Sequence, residues 1–228
     1  MNPRKRYPET LKQIGIAKAA LRELEKEAEH NGLKCRTFLQ FDAGQTDILE
    51  HSGHFNHDFI ITGSSGTKVV IREITGSNVE EIVRKANAPV IVVKDEDINF
   101  PFKNIVFVSD FKEDLSEAFN HVISIAKKCD ARIHLLRINT ETDFNNIELG
   151  LNPIEQLLSK FPELKNYSMT IYNEPSVETG INTFIKQNPI DLIAMVTHGK
   201  SGFLSLFSKS IAEGVTNHST LPVMTIHL

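Results

Sequence analysis

The chain has 228 residues, 40% of them hydrophobic and 24% charged, with a formal net charge of −4. That length fits one large or two small domains, and the composition excludes a disordered or fibrous chain. No apolar run approaches the ~20 residues of a membrane span. The acidic balance argues against a nucleic-acid-binding surface. Cys35 and Cys129 are too few for a disulfide framework, so packing is their expected role and a reducing cytoplasm the expected location. The opening Met1-Asn2-Pro3-Arg4-Lys5-Arg6-Tyr7-Pro8 is basic but has no apolar stretch behind it, unlike a signal peptide.

In chain order, the spacing of apolar residues predicts a long helix over 11–29 and a strand over 33–41. A short helix over 46–51 follows, then a strand over 58–62, a helix over 77–86 and a strand over 89–94. The helix over 11–29 mixes Glu25, Glu27 and Glu29 with Lys18, Arg22 and Lys26, which reads as a solvated face with i,i+4 pairs. A polar, proline-bearing stretch over 94–102 then separates two halves. The second half alternates more regularly. Strands are expected over 104–109, 132–138, 168–172, 191–196 and 222–227. Helices are expected from Leu115 to Cys129 and over 153–161, 177–187 and 210–217. Such alternation implies right-handed crossovers and a parallel sheet covered on both faces.

The halves repeat each other. Asp58 and Asp191 stand 133 residues apart, and the same offset carries Gly66 to Gly199, Ser77 to Ser210, Glu80 to Glu213 and Pro89 to Pro222. Applied to the first strand of the second half, that offset falls before Met1. The first half therefore lacks an opening strand–helix–strand, and its strand over 58–62 is left with an open edge. Either the segment 33–41 closes onto that edge, or another chain fills the gap. A shortened start would equally explain the sequence.

The sharpest local feature is Gly63-Ser64-Ser65-Gly66, followed nine residues later by Gly76-Ser77. It leaves an apolar strand and opens a helix. Ligands of open α/β sheets bind at the carboxyl ends of the strands. Glycines let backbone N–H groups approach an anion, and a helix N-terminus attracts phosphate. The serines add hydroxyl donors. A purely structural use competes: Ser77 with Glu80, and Ser210 with Glu213, make capping boxes, and Gly63 and Gly66 can turn the chain. Spacing alone leaves both readings open.

The pattern Gly-x2-Gly-x9-Gly-Ser, followed by a helix and the strand Ala-Pro-Val-Ile-Val-Val, resembles the universal stress protein (UspA-like) family. Ser109-Asp110-Phe111 looks like that family's opening motif, and Thr197-His198-Gly199-Lys200-Ser201-Gly202 like its loop after the fourth strand. The resemblance covers nearly the whole chain, as a truncated unit over 1–97 and a complete one over 98–228. It implies an α/β fold with a Rossmann-like, parallel, five-stranded sheet in the order 3-2-1-4-5 in the second half and an incomplete copy in the first. It implies a cytoplasmic stress-response protein, with ATP as the ligand of many members. Carried over residue by residue, the first half supplies Gly63, Ser64, Ser65, Gly66, Gly76 and Ser77 for ribose and phosphates. The second supplies Asp110 near the adenine, with Gly199 and Ser210. Two positions depart from the pattern: Val196 replaces the first glycine of the second loop and Lys209 the third. Neither half carries a whole family site. Members also pair their last strands antiparallel. Here Val90 to Val93 and Val223 to Ile226 would pair within one chain as a pseudo-dimer, with a further homodimer open.

Other candidates are weaker. Gly199-Lys200-Ser201 resembles the end of a P-loop, but Ala194 stands where a glycine is needed. His51, His54 and His57 lack the carboxylate or cysteine partners of a metal site, so no metal is expected. Asp110 has an alternative use as a helix N-cap with Glu113 three residues on. His198 reads as a loop hydrogen-bonder. No nucleophile with a base can be placed, so an enzyme, a slow ATPase, is the last of three readings; the second is a dimerising interaction module without nucleotide.

Overall fold

The computed structural model describes residues 7–39, 57–63, 82–83, 86–93, 98–140, 151–197 and 221–228. The chain divides into two compact units, Met1–Gly44 and Gln45–Leu228.

The first unit carries α1 (Tyr7–His30). Its length follows from a stretch rich in Ala, Leu, Glu and Lys, all good helix formers. The helix stops at Gly32, whose φ of 70° is the left-handed conformation glycine accepts most readily. Leu11, Ile16 and Leu24 are exposed on it. The strand expected over 33–41 is not found across its described part: 33–39 has no regular structure, and Leu33 and Phe38 are exposed. A strand needs a neighbour for its N–H and C=O groups, and the described residues provide none there. Cys35 accordingly lies exposed rather than packed, whereas Cys129 is buried in the second unit.

The second unit is one sheet of seven strands: β1 (Ile60–Gly63), β2 (Val90–Val93), β3 (Asn104–Val108), β4 (Arg132–Asn139), β5 (Tyr167–Asn173), β6 (Leu192–Thr197) and β7 (Val223–His227). Their order is β1-β2-β7-β6-β3-β4-β5. The second half of the chain supplies the run β5-β4-β3-β6-β7, all parallel, which is the expected order 3-2-1-4-5. The sheet does not end there. β2 joins β7 antiparallel, with Val90 opposite Thr225 and Val92 opposite Val223, and β1 runs parallel to β2 beyond it. The edge pairing expected of the two last strands is thus made within this chain.

Branched apolar residues build the strands, and helices cover both faces. α2 (Ser116–Cys129) lays Phe119, Val122, Ile123 and Ala126 on Phe107, Ile133, Leu135 and Met224. It ends at Asp130, left-handed at φ 52°, where the Ala131 N–H reaches the Ala126 carbonyl at 2.9 Å. α3 (Asn152–Ser159) adds Ile154 and Leu157 to the same face. α4 (Val177–Gln187) covers the other face, packing Ile181 and Phe184 against Leu136 and Ile138. Under the first half, Ile82, Val83 and Ala86 pack on Val90 and Val92. The helices expected over 46–51 and 210–217 lie outside the described residues.

Candidate functional site at the carboxyl ends of the strands

In the run β5-β4-β3-β6-β7 the chain leaves β3 for β4 on one side and returns as β6 on the other. In open α/β sheets ligands bind at such a reversal, here beyond the carboxyl ends of β3 and β6, where Val108 stands opposite Met195. The loop leaving β3 is held by its own side chains. The Phe111 N–H donates to Ser109 Oγ at 3.1 Å, and the Lys112 N–H to Asp110 Oδ1 at 3.2 Å. Phe111 takes φ 56°, costly for a bulky residue, and is fixed there by burial and an edge-on contact with Phe107.

Asp110 lies exposed in this loop, with Lys112 Nζ 3.6 Å from its carboxylate. It does not cap α2, the alternative its spacing offered. The helix starts later, at Ser116, after an N-cap residue, Leu115, that offers no side-chain cap; the carboxylate that meets its first residue is Asp114, which accepts the Ser116 N–H at 3.0 Å and the Ser116 hydroxyl, and Lys160 Nζ at 2.9 Å. Lys160 first, then Ser116, holds the Asp114 carboxyl well below the usual carboxylate range.

Gly63 is the last residue of β1, in extended backbone rather than a turn. A Cβ built there would meet nothing within 4 Å, so neither backbone shape nor packing among the described residues requires glycine at this position. At the end of β6, Val196 fills the matching position with a buried, β-branched side chain. Ser64, Ser65, Gly66, Gly76, Ser77, Gly199, Lys209 and Ser210 lie outside the described residues, as do the two capping boxes, His51, His54 and His198.

The sheet does not bring Gly63 and Asp110 together. β1 runs with β2, β2 runs against β7, and β7 runs with β6, which runs with β3. The carboxyl ends of β1 and β3 therefore point to opposite ends of the sheet's strands.

A cleft of about 470 Å³ sits where the halves join, between Pro89, the first turns of α2 and the end of β7. Glu113, Asp114, Glu117, His121 and His227 line it, and none of its lining residues among the described ones is Lys or Arg. Among the described residues no three His, Cys, Asp or Glu side chains gather as a metal site, and no helix is long and apolar enough to cross a membrane.

One polar network has no counterpart in the sequence reading. His134 on β4 is buried, with Nε2 3.2 Å from Asn104 Oδ1 and Nδ1 2.8 Å from Ser168 Oγ. A neutral ring protonated at Nε2 satisfies both. Burial, and then the charge of Arg132, pushes its pKa down. The available signal was one histidine inside the apolar run Arg-Ile-His-Leu-Leu.

The model of the universal stress protein family matches residues 3–94 and again 101–227, well over half the chain. A universal stress protein of Methanocaldococcus jannaschii is 33% identical over 86 residues, which are 38% of this chain and 49% of that protein. A Staphylococcus aureus protein named as a universal stress protein is 33% identical over 106 residues, 46% of this chain and 64% of its own length. The chain thus spans 49% and 64% of these relatives' own lengths, less than two thirds of either. The crystal structure of a universal stress protein from Archaeoglobus fulgidus superposes with a TM-score of 0.72 at 18% identity, covering 100% of this chain and 80% of that one. One from Pseudomonas aeruginosa gives 0.62 at 17%, covering 92% and 78%. These likenesses carry the fold. Together with the duplicated match of the family model, they establish that the chain belongs to the universal stress protein family.

Proposed function

We propose that this protein is a cytoplasmic stress-response protein that takes ATP on the loop from Gly63 to Ser77 and passes its state on through partner contacts. In this reading the two family units occupy 1–97 and 98–228, and the pairing of β2 with β7 makes them a pseudo-dimer. The backbone N–H groups of Gly63, Gly66 and Gly76 and the hydroxyls of Ser64, Ser65 and Ser77 receive the phosphates. Support comes from Gly63: it ends a parallel strand, faces open space and has no structural need to be glycine among the described residues. Beyond the opposite ends of the strands, Asp110 on the adenine side and Gly199 and Ser210 on the ribose and phosphate side form a partial second set. Isothermal titration with ATP tests the reading. Saturable heat that is lost in Gly66→Ala and Ser77→Ala supports it; no heat at millimolar ATP removes the ligand.

One observation favours a second reading, an interaction module that binds no nucleotide. The Val196 side chain is buried where a glycine would let backbone meet phosphate. In that case both partial sites are relics and the sheet edges carry the function.

A further inference from the structure

We propose that the outer edge of β1 is a receptor for a parallel strand supplied by a partner polypeptide, a short run of branched apolar residues leading into an amphipathic helix. The internal repeat shows what this edge is shaped for. Offset by 133 residues, β1 corresponds to β6, since Asp58 matches Asp191. β6 is interior: β7 lies on one side and β3 on the other, and Leu192, Ile193, Ala194 and Met195 are all buried. Among the described residues β1 has β2 on one side and stands last in the sheet order. Ile61, the counterpart of fully buried Ala194, is 70% exposed. The other outermost strand, β5, has no such side chain; its residues from Tyr167 to Tyr172 are half-buried.

Asp58 says how the guest strand must run. Its counterpart Asp191 uses one carboxylate oxygen, Oδ2, to receive the N–H of Lys103 at 2.7 Å and of Asn104 at 2.9 Å, the two amides that open β3. Asp58 is exposed, and its carboxylate has no partner among the described residues. A carboxylate at the amino end of β1 can take the first two amides only of a strand that starts beside it, which makes the guest parallel. The register of β3 on β6 fixes the rest. Val106 faces Ile193 and Phe107 faces Ala194, so the guest places a branched residue opposite Ile60 and a large apolar one opposite Ile61. Over Ala194 the second layer comes from α2, which follows β3 directly. A helix following the guest strand would cover Ile61 in the same way. No charged residue or proline interrupts Ile60 to Gly63, so nothing in the strand deters pairing.

The probe is a synthetic peptide spanning residues 102–130, which carries β3 and α2, added to the full chain. Hydrogen exchange by mass spectrometry is expected to show saturable slowing at 60–63. Asp58→Asn should weaken binding by about tenfold, the effect of losing a charge-assisted acceptor. Ile61→Lys should abolish it. Both side chains are exposed, so circular dichroism and melting of the free variants should match the parent. A peptide carrying Phe107→Lys should not bind. The proposal is overturned if 60–63 exchange is unchanged at saturating peptide, or if slowing survives both substitutions. It is also overturned if the chain sediments without peptide at twice its 25.6 kDa mass and Ile61→Lys returns it to one, because a second copy then occupies the edge.

Discussion

Asp191 holds the start of a strand 87 residues away, its Oδ2 accepting the Asn104 N–H at 2.9 Å. A second amide, that of Lys103, shares the same oxygen, and the Asp191 N–H returns to the Asn104 carbonyl at 2.9 Å. The aspartate recovered by the internal repeat is therefore a fastener between β6 and β3. Removing an acceptor from two amides at the sheet's amino end should cost about 2 kcal/mol, since hydrogen bonds to charged groups contribute roughly 1.5–3 each and these are partly exposed. Asp191→Ala is expected to lower the unfolding free energy from urea titration by that amount. Asp58→Ala, which removes no such bond, should shift it by less than about 0.5 kcal/mol.

Gly180 is confined by packing. A Cβ there would lie 2.7 Å from Ile138 Cδ1 and 2.8 Å from both Cγ1 and Cγ2, so no single rotation of Ile138 clears it. α4 can approach β4 this closely only without a side chain. Overpacking costs roughly 1–3 kcal/mol, and the better helix propensity of alanine returns up to about 1. Gly180→Ala should therefore destabilise by about 1 kcal/mol, seen as a lower melting temperature. An Ile138→Ala background should remove that penalty, the non-additivity of two residues in contact.

His134 gives stability a pH dependence of definite sign. Its folded pKa lies below the unfolded value of about 6.5, because burial and Arg132 disfavour the charged ring. The unfolded chain then binds the proton more readily. The contribution is fully present above about pH 6.5 and is lost as pH falls from there toward the folded pKa. Melting should occur at a lower temperature at pH 5.5 than at pH 7.5, and His134→Gln should reduce the difference. An unchanged pH dependence in that variant would assign the effect to other groups.

Much of this architecture was legible because its signals are local. The spacing over 177–187 gives α4 with both ends in place, and the branched runs at 104, 132 and 192 give interior strands. The join of β2 to β7 was expected from the family resemblance, whose members pair their last strands antiparallel, and not from the two apolar runs themselves. The segment after α1 was not legible. The stretch 33–41 reads as a strand by composition, but a strand is made by its neighbour, and no described residues pair with 33–39 as a strand. The same distinction separates Asp110 from Asp114. Both precede α2, yet Asp114 is the one that contacts Ser116 and also Lys160, 46 residues away and beside it only once the chain is folded. His134 escaped notice for a similar reason, because Asn104 and Ser168, which satisfy it, come from two other strands. The opposed ends of β1 and β3 are likewise a property of the sheet and not of either motif.

That opposition makes calorimetry with ATP on the parent chain, Ser77→Ala and Asp110→Ala the decisive experiment. Saturable binding is expected of the parent, weakened about tenfold or more by Ser77→Ala, which removes a hydroxyl donor to a charged phosphate. Asp110→Ala should keep parent-like affinity, because its site lies beyond the opposite ends of the strands. Absence of heat from the parent chain, or loss of binding in Asp110→Ala with Ser77→Ala unaffected, would refute nucleotide binding at the Gly63–Ser77 loop.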